Sequence, residues 1–291
     1  MFKQALIRLS TILIAGIAFA AGLVGSRLLS HAIGLSAPRM PAQAPESIAG
    51  YYLITGSIIL SGGLALPATG ISASLPVRWL VLATFVFLGF AVSTTIETSI
   101  FSSAAGTMSM IPALLLPCIL LAGVLAAPCL TPFPTRETEG RIVRFFRARP
   151  WPEWTWRIAA AVVSFPLIYF VFGLMASPVV SDYYASGVSG LALPAPASIV
   201  RVQFLRSILH LVSLFPLLIL WRGDRRHIVV GLTLAFFVFI FAYDIVLANQ
   251  IPAVLVLVHG LEVLVDSLVY AWAVVHLLMP DKTRSIQKPA A

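Results

Sequence analysis

Charge is what this sequence most lacks. Of its 291 residues, 10% are charged and 59% hydrophobic, whereas soluble domains carry about 25% charged residues. The mean hydropathy is +0.98. A chain this poor in charge cannot clothe a large soluble surface, which excludes a sizeable soluble domain and leaves a polytopic membrane protein as the expectation. Cysteine is nearly absent too, with Cys118 and Cys129 the only two. Eleven residues along one helix part them by roughly 16 Å, too far for a disulfide. No CxxC or Cys/His spacing exists, so the usual zinc sites are excluded and both cysteines read as small apolar residues. GxxxxGK[ST], GxGxxG and GxSxG are all missing. "SGVSG" at 186–190 has the wrong spacing for a nucleophile elbow and reads as a flexible loop.

Long apolar runs are what the sequence does have. They fall at about 7–25, 49–69, 79–101, 108–129, 158–177, 199–220, 228–249 and 253–279, which predicts an all-α bundle of about eight transmembrane helices. Pro and Gly clusters such as "SAPRMPAQAPES" at 36–47 and "LALPAPAS" at 191–198 separate them. Acidic residues number 11 and basic ones 19. With both termini inside, only Arg27, Arg39, Arg201 and Arg206 of those 19 miss the cytoplasmic side. That asymmetry sets the expected orientation, both termini cytoplasmic, and accounts for the basic pI without nucleic acid. A bacterial cytoplasmic membrane is the expected location. Lys3, Arg8 and "AFA" at 18–20 also fit a signal peptide, but the run is long for one, so the first span is expected to be retained.

The chain divides into four spans over 1–129, a cytoplasmic loop over 130–157, four more spans over 158–279 and a tail over 280–291. Within the loop, Arg141, Arg144 and Arg147 recur every three residues, Ile142, Phe145 and Phe146 take another face, and Trp151, Trp154 and Trp156 come after them. This predicts a short helix on the leaflet surface with tryptophans at headgroup level and anionic lipid as the contact. "RWLVLATFVFLGFAVSTTIE" at 78–97 resembles "RHIVVGLTLAFFVFIFAYD" at 226–244, which suggests a parallel four-plus-four repeat.

Polar residues inside the spans are costly and mark sites. Spacings of three and four place His259, Glu262 and Asp266 on one face of the last helix, and Gln203, Arg206 and His210 on one face of the sixth. At ~1.5 Å per residue, Arg206, Asp244, Glu262 and Asp266 fall in one layer of the outer half, with Glu97 nearer the outer surface. The two faces are expected to look toward each other, Arg206 pairing with Glu262 or Asp266 through its planar fork. One arginine cannot neutralise three acids. The surplus must be protonated, solvated by a cavity, or bound to a cation or cationic ligand. A polar pocket open to the outside is the simplest solution, with Glu97, Arg201, Asn249 and His259 at its mouth. A haem between His210 and His259 is disfavoured, because they differ in depth by roughly 14 Å. No metal or other cofactor is expected, for want of HExxH or a second carboxylate–His motif.

The stretches "TTIETSIF" (94–101), "FPLIYFVFGLMASPVV" (165–180), "RVQFLRSILH" (201–210) and "VHGLEVLVDSLVYAWAV" (258–274) occur in this order. In them the chain resembles a family of uncharacterised bacterial polytopic membrane proteins, over about two-thirds of its length. The motifs that carry the likeness are an "IET", a later intramembrane Arg and an "HxxE", here Glu97, Arg206, and His259 with Glu262. The resemblance implies a membrane location and this choice of residues, and no reaction. Intramembrane CAAX-type proteases also hold Glu, Arg and His in their helices, but their EExxxR is absent. Three functions stay open: binding or transport of a small molecule or ion, a membrane-embedded enzyme with His259 and Glu262 as acid–base groups, and an assembly subunit. The inner halves of the sixth and eighth spans offer only Ser213, Ser267 and Tyr270, which argues for a one-sided site.

Overall fold

The computed structural model describes residues 2–32, 46–102, 107–130, 139–187, 190–247 and 251–280. Among these the regular elements are helices: α1 (Phe2–Ala32), α2 (Glu46–Gly70), α3 (Leu75–Val86), α4 (Ser93–Phe101), α5 (Leu115–Leu125), α6 (Glu139–Arg147), α7 (Trp151–Ala185), α8 (Pro196–Leu220), α9 (Arg225–Leu247) and α10 (Ala253–Leu278). A π-helical stretch, Phe87–Val92, joins α3 to α4 without a break. Proline opens α3, α7 and α8, where its missing N–H costs nothing.

Among the described residues, seven helices are long and apolar enough to cross a membrane, and the chain is a multi-pass membrane protein on that ground. The sequence suggests about eight. The run at 108–129 yields 3-10 turns at Thr107–Met110 and Pro112–Leu114, then α5, then another 3-10 turn at Pro128–Leu130. Pro112, Pro117 and Pro128 remove amide donors along this run, so only Pro112–Leu125 survives as a shorter apolar helix.

Two helix pairs have matching bounds. The hairpin α2–α3 recurs as α8–α9 at a constant offset of 150 residues (46 to 196, 70 to 220, 75 to 225). The two connecting turns also pair with each other. Ile71 and Trp221 form an antiparallel bridge, the Ser72 N–H donates to the Leu220 carbonyl at 3.0 Å, and the Arg222 N–H donates to the Gly70 carbonyl at 3.0 Å. Packing obeys the same pattern: α1 lies on α2 and α5 as α7 lies on α8 and α10, and α2 lies on α9 as α8 lies on α3–α4.

The two halves differ where they pack. The offset matches Gly56 with Arg206 and Leu60 with His210. A Cβ at Gly56 would stand 2.7 Å from the Ala242 carbonyl oxygen, so α2 and α9 meet at backbone distance. Gly56→Ala is therefore expected to destabilise the protein by about 1–3 kcal/mol through overpacking. Gly62→Ala, whose Cβ would meet only Ile12 Cγ2 at 3.9 Å, serves as the neutral control. Unfolding in mixed detergent micelles checks both, and equal stabilities would refute the close approach.

At one end of the bundle, arginines bind the carbonyls that helix ends leave unsatisfied. Arg149 donates to the carbonyls of Leu278 and Met279 at 2.9 and 2.8 Å, Arg157 to Leu277 at 2.9 Å, and Arg225 to Met279 at 2.8 Å. Arg141 reaches the Leu220 carbonyl at 3.3 Å. At the start of α9, Asp224 Oδ1 accepts the His227 N–H at 2.7 Å, a cap that holds this carboxyl below its usual range. The short helix expected in the loop is present as α6, but the loop packs inward. Trp154 is 1% exposed, stacks on Phe145 at 5.2 Å and gives its indole N–H to the Phe146 carbonyl at 2.9 Å. Phe145 and Phe146 also meet Phe215 of α8. Only Trp151 and Trp156 of the three tryptophans remain outward. The last residues of the expected loop, from Trp151, already belong to α7.

Candidate binding cavity

The π-helical stretch comes just before the residues that matter most. A π turn inserts one residue into the helix and re-aims the side chains beyond it, and such bulges are frequent at functional sites. Here it carries Gly89, which lines a cavity between α4, α7, α8, α9 and α10. The cavity is small, with a volume of about 50 Å3. Glu97 from α4, Arg206 and His210 from α8, and His259, Glu262 and Asp266 from α10 all line it.

Arg206 is 3% exposed and held by three polar partners. Its Nη1 forms an ion pair with Glu97 Oε1 and donates to Gln203 Oε1 at 2.8 Å. Its Nε donates to Ser93 Oγ at 3.0 Å. Its guanidinium lies over the Phe165 ring, 5.4 Å from the centroid. This overturns the expected pairing with Glu262 or Asp266. The reason is the packing of α8 on α4, which turns Glu97 toward Arg206. Gln203, fully buried, stands behind the pair and donates to Glu97 Oε1 at 3.4 Å.

His210 Nε2 lies 2.8 Å from Ser93 Oγ. Whichever ring nitrogen carries the proton, Nδ1 is left without a partner. Asp244, 6% exposed, pairs with His259, its Oδ2 lying 3.0 Å from the imidazole Nδ1. The expected juxtaposition of the sixth and eighth spans takes a modified form: the polar faces of α8 and α10 look across the cavity, with α7 and α9 completing the wall.

After these pairings two carboxylates are left. No hydrogen bond or ion pair joins Glu262 to another described residue. Its Oε1 lies beside Gly173 of α7, 3.4 Å from where a Cβ would stand. Asp266 Oδ1 is buried and has no hydrogen-bond partner among the described residues. Of the residues expected at the mouth, Arg201 turns back on its own helix, giving Nε–H to the Ala197 carbonyl at 3.2 Å. Asn249 lies outside the described residues. Among the described residues, no group of three His, Cys, Asp or Glu could hold a metal ion.

Below the acids the cavity ends on rings. His210 stacks on Phe236 with centroids 5.2 Å apart. Phe236 meets Tyr270 at 5.3 Å, Tyr270 meets Phe165 at 5.0 Å, and Phe165 meets His210 at 4.8 Å. These four rings make a closed circuit. Beneath them lie Leu214, Ala271 and Val274, all fully buried. Ser93, Phe165 and Phe236 are not among the residues that the sequence singles out. Ser93 sits one turn before Glu97, so its i, i+4 spacing was a usable signal. The rings carry no such signal, being phenylalanines among 18 in an oily chain.

No protein-family model, curated protein or solved structure matches this chain.

Proposed function

We propose that the chain is a membrane-embedded binding protein, whose cavity between α4 and the C-terminal helices takes up a small solute from the outer face. The observation that carries this reading is the cavity itself, with two unpaired carboxylates in its wall and a ring floor beneath. Intramembrane charges that only lock helices together pair with one another. Glu97 with Arg206 and Asp244 with His259 do so, and Glu262 and Asp266 do not. The floor favours binding over conduction. Passage inward would require four packed rings to part.

The orientation is part of the proposal. The positive-inside rule assigns the arginine-rich end and both termini to the cytoplasm, so the cavity faces outward. A bacterial cytoplasmic membrane fits this assignment. Anionic lipid at the basic end, where Trp151 and Trp156 face outward, belongs to the same proposal, as does membership of the family that the chain resembles at Glu97, Arg206, His259 and Glu262. The pseudo-equivalent position in the first half is filled by the α2–α9 contact at Gly56, which supports one site per chain.

Ile240 lines the cavity and tests its sidedness. With both native cysteines replaced by Ser, Ile240→Cys is expected to react with a membrane-impermeant thiol reagent applied from outside whole cells. It should not react when the reagent is confined to the cytoplasmic side of inverted vesicles. Labelling from the cytoplasmic side, or none from outside, would overturn the outward-facing cavity.

A further inference from the structure

We infer that the solute is a small organic cation bearing N–H groups, a protonated primary amine, held by Glu262 and Asp266. This rests on the binding function proposed above and adds the ligand's chemical class.

Charge comes first. Arg206 and His259 each have a carboxylate partner, so a cation entering the cavity meets Glu262 and Asp266, acids that no described cation pairs with. An anion would face two carboxylates, while Arg206 Nε and Nη1 already serve Glu97, Gln203 and Ser93. With a neutral solute the two acids would each have to hold a proton instead, whereas a cation lets them ionise and pair with it.

Hydrogen bonding narrows the class. Asp266 Oδ1 is buried and lacks a donor. A quaternary ammonium carries charge but no N–H and would leave that oxygen unsatisfied. A primary ammonium brings three donors and can serve Asp266 and Glu262 together. The two acids lie one helical turn apart on the same face of α10, a spacing of about 6 Å that one ammonium group can bridge.

The remaining wall suits the rest of such a ligand. Tyr169, Phe236 and Phe239 present aromatic surface beside the acids. Ring faces attract a cation and accept an alkyl chain equally well. A metal ion would instead need a third strong ligand, and the described residues gather no such group. His210 gives a second sign of an absent partner. It is 5% exposed, lines the same cavity, and its Nδ1 is unmatched.

The test uses the full chain in lipid nanodiscs and isothermal titration with four probes: n-butylamine, tetramethylammonium, n-butanol and butyrate. Butylamine is expected to bind about tenfold or more tightly than each of the others, the effect of one charge-assisted hydrogen bond. Glu262→Gln and Asp266→Asn are each expected to weaken butylamine about tenfold while leaving the melting profile of the empty protein in place. Equal binding of butanol, or preference for tetramethylammonium or butyrate, would overturn the ligand class and leave the binding function standing. Binding of none of the four, with Ile240→Cys still labelled from outside, would likewise overturn the amine alone. Absence of both binding and labelling would remove the binding function itself. Undiminished butylamine affinity in the Glu262→Gln/Asp266→Asn double variant would refute the assigned residues.

Discussion

Arg206→Met lowers stability by about 3–5 kcal/mol, the usual cost of removing one partner of a buried ion pair. The loss comes mainly from what stays behind. Glu97 would lose its counter-charge among apolar helices, and Gln203 Oε1 and Ser93 Oγ would each lose a donor. Arg206→Lys is expected to recover only part, because one ammonium cannot reproduce the fork that reaches Glu97, Gln203 and Ser93 at once. The informative comparison is the double variant Glu97→Gln/Arg206→Met. It removes both charges, and its stability should return most of the way to that of the parent protein. Equilibrium unfolding in mixed detergent micelles measures all four. A single Arg206→Met variant within about 1 kcal/mol of the parent would mean that the pair is solvated like a surface pair and not part of a buried network.

Phe236→Ala costs a similar amount, about 3–5 kcal/mol, for removal of a buried aromatic ring and the cavity it leaves. Phe236 is 5% exposed and touches His210, Tyr270, Phe85 and Phe239. Removing it takes one member out of the ring circuit and deepens the cavity toward Leu214. Proteoliposomes carrying Phe236→Ala are therefore expected to leak tetramethylammonium, a permanent cation that the bilayer itself retains, whereas those carrying the parent protein hold it. Phe236→Leu keeps most of the volume, and both effects should shrink. Flux through the parent protein equal to that of Phe236→Ala would show that the rings do not close the cavity.

The helices are legible in the sequence because each long apolar run has only one way to satisfy its backbone in lipid. Legibility fails at 108–129, where hydropathy alone cannot register that prolines at 112, 117 and 128 break the hydrogen-bond ladder. The polar residues are legible for a related reason. A charge in an apolar span is rare enough to be conspicuous, and the three-and-four spacing tells which residues share a face. Their pairing is not legible. Counting rise per residue puts Glu97 near the surface, but depth along one helix says nothing about how helices pack laterally, and α4 leans on α8. The π turn at Phe87–Val92 adds to the difficulty, because it changes the facing of Ser93 and Glu97 without any signal in a period of 3.6 residues. Arg141, Arg149 and Arg157 are conspicuous in the loop as basic residues. Sequence could not reveal that five residues at the ends of α8 and α10 would offer them bare carbonyls.

The two matching hairpins pack differently, and the polar site forms where α8 of the second meets α4. The same two-helix hairpin is used twice. In the first use, Gly56 lets α2 and α9 close to contact. In the second, Arg206 and its partners fill the matching interface with polar groups and the cavity opens beside them. Small residues close helix interfaces and bulky polar ones hold them apart, so a single position decides which half has room.

Everything proposed for the cavity depends on the surplus acids of α10 holding one cationic solute per chain. Calorimetric titration of butylamine into the nanodisc-embedded parent protein, beside the Glu262→Gln/Asp266→Asn double variant, tests this most directly. A stoichiometry of one is expected for the parent, and no measurable heat of binding for the double variant. Two equivalent sites in the parent, or the same isotherm in both proteins, would contradict it.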